Sequence, residues 1–187
     1  MLRFLKGRST QTPEPAANPP GTFLGGAYRR HEAADVQRFT ALAAAAFPEF
    51  GTRITCFGAD WLGRQLAEDA ERVVGGERQI LLLEPGTGEA LEIPFGVGAF
   101  HETLLDQEPD AVACFSFFRE WIASGGAAPA YNQCVGYKRP LYLGGEDGVS
   151  NLELSDLEVY WHLSAQLLAK VRGLPVGTPI GSVTIGD

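Results

Sequence analysis

Chemistry in this chain would have to come from three histidines, three cysteines and a surplus of carboxylates. His162 stands four residues after Glu158, a spacing that puts both on one helix face and would make half of a metal site. An ordinary surface ion pair has the same spacing, and no third ligand accompanies it. His31 and His101, the latter beside Glu102, fall in no metal or catalytic spacing. Cys56, Cys114 and Cys134 are widely separated and form no Cys-x-x-Cys, so they read as small buried apolar residues and not as a zinc site or a disulfide framework. No serine occupies a Gly-x-Ser-x-Gly elbow. Gly86-Thr-Gly88 and Gly144-Gly145 lack the lysine spacing of a phosphate loop and read as turn glycines. The expectation is a protein with no catalytic residue, no metal and no cofactor.

The carboxylates remain. Asp and Glu number 23 against 15 Lys and Arg, for a net charge of −8. That balance argues against a nucleic-acid binder, which needs cations to meet phosphates. The acids also cluster. Glu84, Glu89, Glu92, Glu102, Asp106, Glu108 and Asp110 lie between Arg78 and Arg119, and Glu146, Asp147, Glu153, Asp156 and Glu158 lie between Arg139 and Lys170. A solvated surface that aids solubility accounts for such runs, and so does a face that steers a basic partner. Glu84, Glu89, Glu92, Asp106, Glu108, Asp110, Glu146 and Asp147 are the candidate partner-binding residues.

The elements that must position these groups follow from pattern. Residues 9–22 hold four prolines and little that could be buried, so residues 1–22 read as a flexible lead-in and residues 23–187 as one domain. Met1 to Arg8 is broken by charge, leaving no export or membrane segment, so a cytoplasmic location is expected. Val36, Phe39, Leu42 and Phe47 keep a helical period over about 32–47, closed by Pro48. Residues 53–57 predict a short strand with a turn at 58–60. Apolar runs at 79–84 and 89–94, split by Pro85-Gly-Thr-Gly88, predict a β-hairpin. Short and longer helices are expected over 100–105 and 110–123, then a glycine-punctuated loop over 131–151. Ser155 with Glu158 forms a capping box for a helix to about Arg172, and Ile180 to Ile185 is β-like. Three to four helices around an antiparallel sheet containing the hairpin make an α+β fold.

One stretch carries a resemblance. Asn132 to Trp161 combines Gly136-Tyr-Lys-Arg-Pro-Leu141 with the turn Gly144-Gly-Glu-Asp147 and a helix start. With Cys56-Phe-Gly-Ala-Asp-Trp-Leu-Gly-Arg64, the hairpin and Phe117-Phe-Arg-Glu-Trp121, it resembles the C-terminal domain family of type VI secretion immunity proteins of the Tdi type over about 51–172. The resemblance implies an α+β fold and a protein that neutralises a DNase toxin by binding it. It implies no catalytic residue. The Tdi type usually carries a preceding domain, which this chain replaces with a short tail and one helix.

The expectation is therefore an immunity protein for a cognate, basic toxin, acting by occluding the toxin's active or substrate-binding site. A cytoplasmic scaffold or regulator of the same fold, and a small-molecule enzyme or sensor with a pocket invisible in sequence, are the alternatives. Oligomeric state is left open. Trp61, Trp121 and Trp161 are expected in or at the edge of the core.

Overall fold

A computed structural model describes residues 21–175 and 177–180. Six antiparallel strands run in sequence order across one sheet: β1 (Thr22–Phe23), β2 (Tyr28–Arg30), β3 (Ile54–Asp60), β4 (Gln65–Val74), β5 (Glu77–Glu84) and β6 (Glu89–Ile93). A second, two-stranded sheet pairs β7 (Gln133–Tyr137) with β8 (Leu152–Asp156). Helices complete the α+β architecture that the patterning predicts.

The sheet is covered on both faces, and the run Ile80-Leu81-Leu82-Leu83 shows why. Strand side chains alternate between faces, and all four of these are buried. Leu81 and Leu83 meet helix α1 (Val36–Ala46), through Phe39, Leu42 and Ala43, together with Trp161 of the last helix. Ile80 and Leu82 face the opposite layer, with Phe100, Leu105, Val112 and Phe118. In β3 a bulge between Cys56 and Gly58 changes the parity, so that Ala59 joins Ile54 and Cys56 on the α1 face.

The opposite layer is helical segment α2 over residues 97–107, followed by α3 (Pro109–Ala113) and α4 (Phe115–Ala123). The middle of α2, Phe100–Leu104, is π-helical. The single helix expected over 110–123 is broken at Cys114, whose φ of 45° is left-handed; the chain turns there and restarts with the Ser116 N–H donating to Asp110 Oδ1 at 2.6 Å. The last helix, α5 (Leu157–Val171), is capped by Asp156, whose Oδ1 accepts from the N–H groups of Glu158 and Val159. Ser155 instead ends up inside β8, so the N-cap moves one residue on to Asp156, and with Val159 at the third helical position the expected capping box does not form.

The hairpin forms with Leu82 opposite Leu91 and Glu84 opposite Glu89. Several strand assignments differ from the sequence reading, which placed no strand at β1, β2 or β8. Strand β3 extends through 58–60, and the reversal falls instead at Trp61 to Arg64. The 131–151 loop contains β7. The ten-residue β4 was not expected, because its inward positions include Gln65 and Asp69, both fully buried. Asp69 is tolerated because Arg53 Nη2 donates to it at 2.8 Å. Apart from Gly21 and Thr22, the expected lead-in lies outside the described residues, as does the β-like tail beyond Ile180.

Candidate functional site

Where β3 ends and β4 begins, Asp60 and Arg64 face each other across the turn. The Arg64 Nε donates to Asp60 Oδ2 at 2.6 Å, and its backbone N–H donates to Oδ1 at 2.9 Å. Nη1 donates to Glu84 Oε1 at 2.6 Å, at the end of β5, and Nη2 reaches the Val112 carbonyl at 3.4 Å. Thr87 donates its hydroxyl proton to the other Glu84 oxygen at 3.0 Å. Asp60 is fully buried and Arg64 nearly so. Burial pushes the Asp60 carboxyl above the usual carboxylate range against the opposing pull of Arg64. The Asp60 carboxylate in turn keeps Arg64 cationic despite its own burial.

Glu84, Arg64 and Thr87 form one wall of a cavity of about 140 Å³ that Leu62, Cys114, Phe117, Tyr137, Leu141, Asp147 and Tyr160 complete. Two glycines make room for its aromatic walls. A Cβ on Gly86 would lie 2.6 Å from the Tyr137 ring, and one on Gly136 would lie 2.5 Å from the Tyr160 ring. The Tyr137 hydroxyl donates to Asp147 Oδ1 at 2.6 Å, and its backbone N–H donates to the Tyr160 oxygen at 3.3 Å. Burial raises both phenols above their ordinary range, with Asp147 adding to the effect on Tyr137.

The predicted partner-binding acids differ in their surroundings. Glu84 and Asp147 line the cavity. Glu84 is largely buried and ion-paired with Arg64, which sets it apart from the exposed docking acid expected. Glu92 is exposed and pairs with Arg72. Asp110 accepts from the Ser116 backbone and hydroxyl, so its carboxylate starts α4. Glu89, Asp106, Glu108 and Glu146 are exposed, and among the described residues none takes part in an ion pair.

The histidines serve packing. His31 stacks on Phe39 with ring centroids 4.1 Å apart and donates to the Gln65 side-chain oxygen at 2.6 Å; burial lowers its pKa to about 4. His101 donates from Nδ1 to the Val97 carbonyl, which leaves Nε2 to accept from the Tyr28 hydroxyl at 2.9 Å. Glu158 pairs with Arg38 and not with His162, whose Nδ1 donates to the Glu158 carbonyl. Among the described residues no three His, Cys, Asp or Glu side chains converge as metal ligands. All three cysteines are free; Cys56 is buried and its thiol is pushed up to about 12 by desolvation, while Cys114 is only partly buried and borders the cavity. Trp61 and Trp161 are fully buried, and Trp121 lies at the core edge.

Asp60, Arg64, Thr87, Phe117, Tyr137 and Tyr160 were not among the expected site residues. The signal for them was that all six lie in the stretches that carry the resemblance, with Asp60 and Arg64 spaced around Trp61-Leu-Gly63. Chemically the cluster is self-satisfied: each terminal nitrogen of Arg64, like its Nε, already has a protein acceptor. That is an arrangement for holding shape and presenting charge.

Among curated proteins none matches the chain significantly. The crystal structure of Atu4351 from Agrobacterium tumefaciens is similar with a TM-score of 0.51 and 12% identity, over 75% of this chain and 67% of that one, a likeness of fold alone. A family model described as T6SS immunity protein Tdi1, C-terminal, matches residues 97–168, a stretch that carries Cys114, Phe117, Tyr137, Leu141, Asp147 and Tyr160 of the cavity. Over those residues the chain resembles the C-terminal domain family of type VI secretion immunity protein Tdi1.

Proposed function

We propose that this protein is an immunity protein that binds a cognate secreted bacterial toxin in the cytoplasm and neutralises it by covering the toxin's active or substrate-binding site. The match of residues 97–168 to the immunity family carries this reading. The net charge of −8 supports a basic partner such as a nuclease, whose phosphate-binding cations an acidic protein can occupy. Among the described residues no helix is long and apolar enough to cross a membrane. The closed hydrogen bonding around Arg64 suits binding better than turnover.

The test is co-expression with the product of the neighbouring gene. The toxin alone arrests growth, growth returns when this chain is present, and the two proteins co-elute after purification. Toxicity that persists with no complex formed overturns the reading. The exposed acids then give a finer test. Reversing Glu89, Asp106 and Glu108 to Lys slows association and flattens its salt dependence, while unfolding stability moves by about 1 kcal/mol or less. Association kinetics that do not change would mean that these acids only solubilise the protein.

A further inference from the structure

We propose that the cavity between the Gly86-Thr87 turn, Cys114 and Tyr137 is a socket for one arginine side chain of a protein partner. Charge is the first argument. Three carboxylates stand at or behind this cavity, Asp60, Glu84 and Asp147, and among the described residues Arg64 is the only cation in its wall. Arg64 is already divided between Asp60 and Glu84 at 2.6 Å each. Arg29, the other buried cation acting on Asp60, turns its guanidinium to the carbonyls of Pro129 and Gln133. Arg29 therefore does not offset the cavity's own carboxylates, and among the described residues Asp147 has no ion-pair partner.

The second argument is the free acceptor. Asp147 is exposed at the mouth, and its Oδ1 takes the Tyr137 proton, while Oδ2 has no donor among the described residues. An incoming donor can reach that oxygen without breaking an existing bond.

Shape and lining decide the occupant. A volume of about 140 Å³ is small against the roughly 300–1,000 Å³ of sites that enclose small molecules, and suits a single side chain. The walls are Leu62 and Leu141 with the rings of Phe117, Tyr137 and Tyr160. Apolar and aromatic surfaces accept a methylene stem and a flat, weakly hydrated guanidinium, whereas a compact ammonium keeps more of its water. The partner is the toxin only if the immunity reading holds; the socket's chemistry stands without it.

The probe is L-argininamide, whose carboxylate is masked, titrated into the full chain at low salt and followed by backbone amide NMR shifts. Saturable shifts at Gly86, Thr87, Cys114 and Tyr137 are expected, with weaker binding of lysinamide and none of citrullinamide, whose side chain is the neutral isostere. Asp147→Asn, an exposed change that leaves the buried cluster intact, weakens argininamide about two- to fivefold. Absence of saturable shifts, equal binding of citrullinamide, or unchanged affinity in Asp147→Asn each overturns the socket. None of these results affects toxin neutralisation by the whole protein. Conversely, argininamide binding with no toxin rescue would leave the socket and remove the immunity reading.

Discussion

Removing the Arg64 guanidinium should expose how much of this fold depends on one buried charge cluster. In Arg64→Met the side-chain volume is roughly kept, but Asp60, fully buried, loses a donor at 2.6 Å, and Glu84 loses its own at 2.6 Å. Breaking a buried pair by deleting one partner costs about 3–5 kcal/mol, because the remaining charge has neither water nor a counter-ion. Against a total stability of about 5–15 kcal/mol, that lowers Tm by about 6–20 °C in a chain of this size. Thermal and urea unfolding followed by circular dichroism reads both values. The penalty belongs to the orphaned carboxylate, so Asp60→Asn combined with Arg64→Met should recover most of the loss. The sign with pH is fixed as well. Burial already raises Asp60, and without Arg64 the folded-state pKa rises further above the unfolded value of about 3.9. A carboxyl with a raised folded pKa holds its proton longer in the folded state, so stability falls as pH rises through that window. The deficit of Arg64→Met should therefore be larger at pH 7.5 than at pH 4.5. A Tm within about 2 °C of wild type at neutral pH, or a double variant no better than the single, would refute the reasoning.

Cys114 has a φ of 45°. Cys114→Gly should therefore stay within about 1 kcal/mol of wild type, while the β-branched Cys114→Val falls about 2 kcal/mol or more below it in urea unfolding. Trp161 is fully buried and donates its indole N–H to the Gly63 carbonyl at 2.7 Å; Trp161→Ala should cost about 3–5 kcal/mol of unfolding free energy, and equal loss of partner affinity with an unchanged unfolding midpoint would contradict its core assignment. His31, with a folded pKa of about 4 set by burial, lies below its unfolded value of about 6.5. Its contribution is thus complete above pH 6.5 and lost at up to about 1.4 kcal/mol per pH unit as pH falls towards 4. His101, also lowered by burial, adds to that slope, and His31→Phe should flatten the larger part of it in a pH series of urea melts.

What the sequence made legible was the apolar pattern. The hairpin and α1 could be read because Ile80 to Leu83 and Phe39 with Leu42 are buried in an apolar pattern, and the last helix could be read from a cap signal that the fold sets one residue later, at Asp156. Strand β4 could not, since burial of Gln65 and Asp69 depends on His31 and Arg53, which arrive from other parts of the chain. The break at Cys114 is a tertiary demand that no local propensity announces for a cysteine. The candidate site suffered in the same way. Counting carboxylates located Glu84 and Asp147, yet their roles differ: one is committed to Arg64 and the other stands at a mouth formed by Tyr137. Charge runs report how many acids there are, and only folding assigns each its neighbours.

The stretch that the immunity family recognises, residues 97–168, supplies material to both outer layers of the molecule and none of the slab between them. Phe100, Leu105, Val112 and Phe118 rest on one side of strands β4 and β5, while Leu157 and Trp161 rest on the other. Detached, those two apolar sets would be separated by nothing, with no surface to oppose them. Residues 97–168 by themselves are therefore not the folding unit of this protein. In this protein the matched residues take their shape only against a sheet that the rest of the chain supplies.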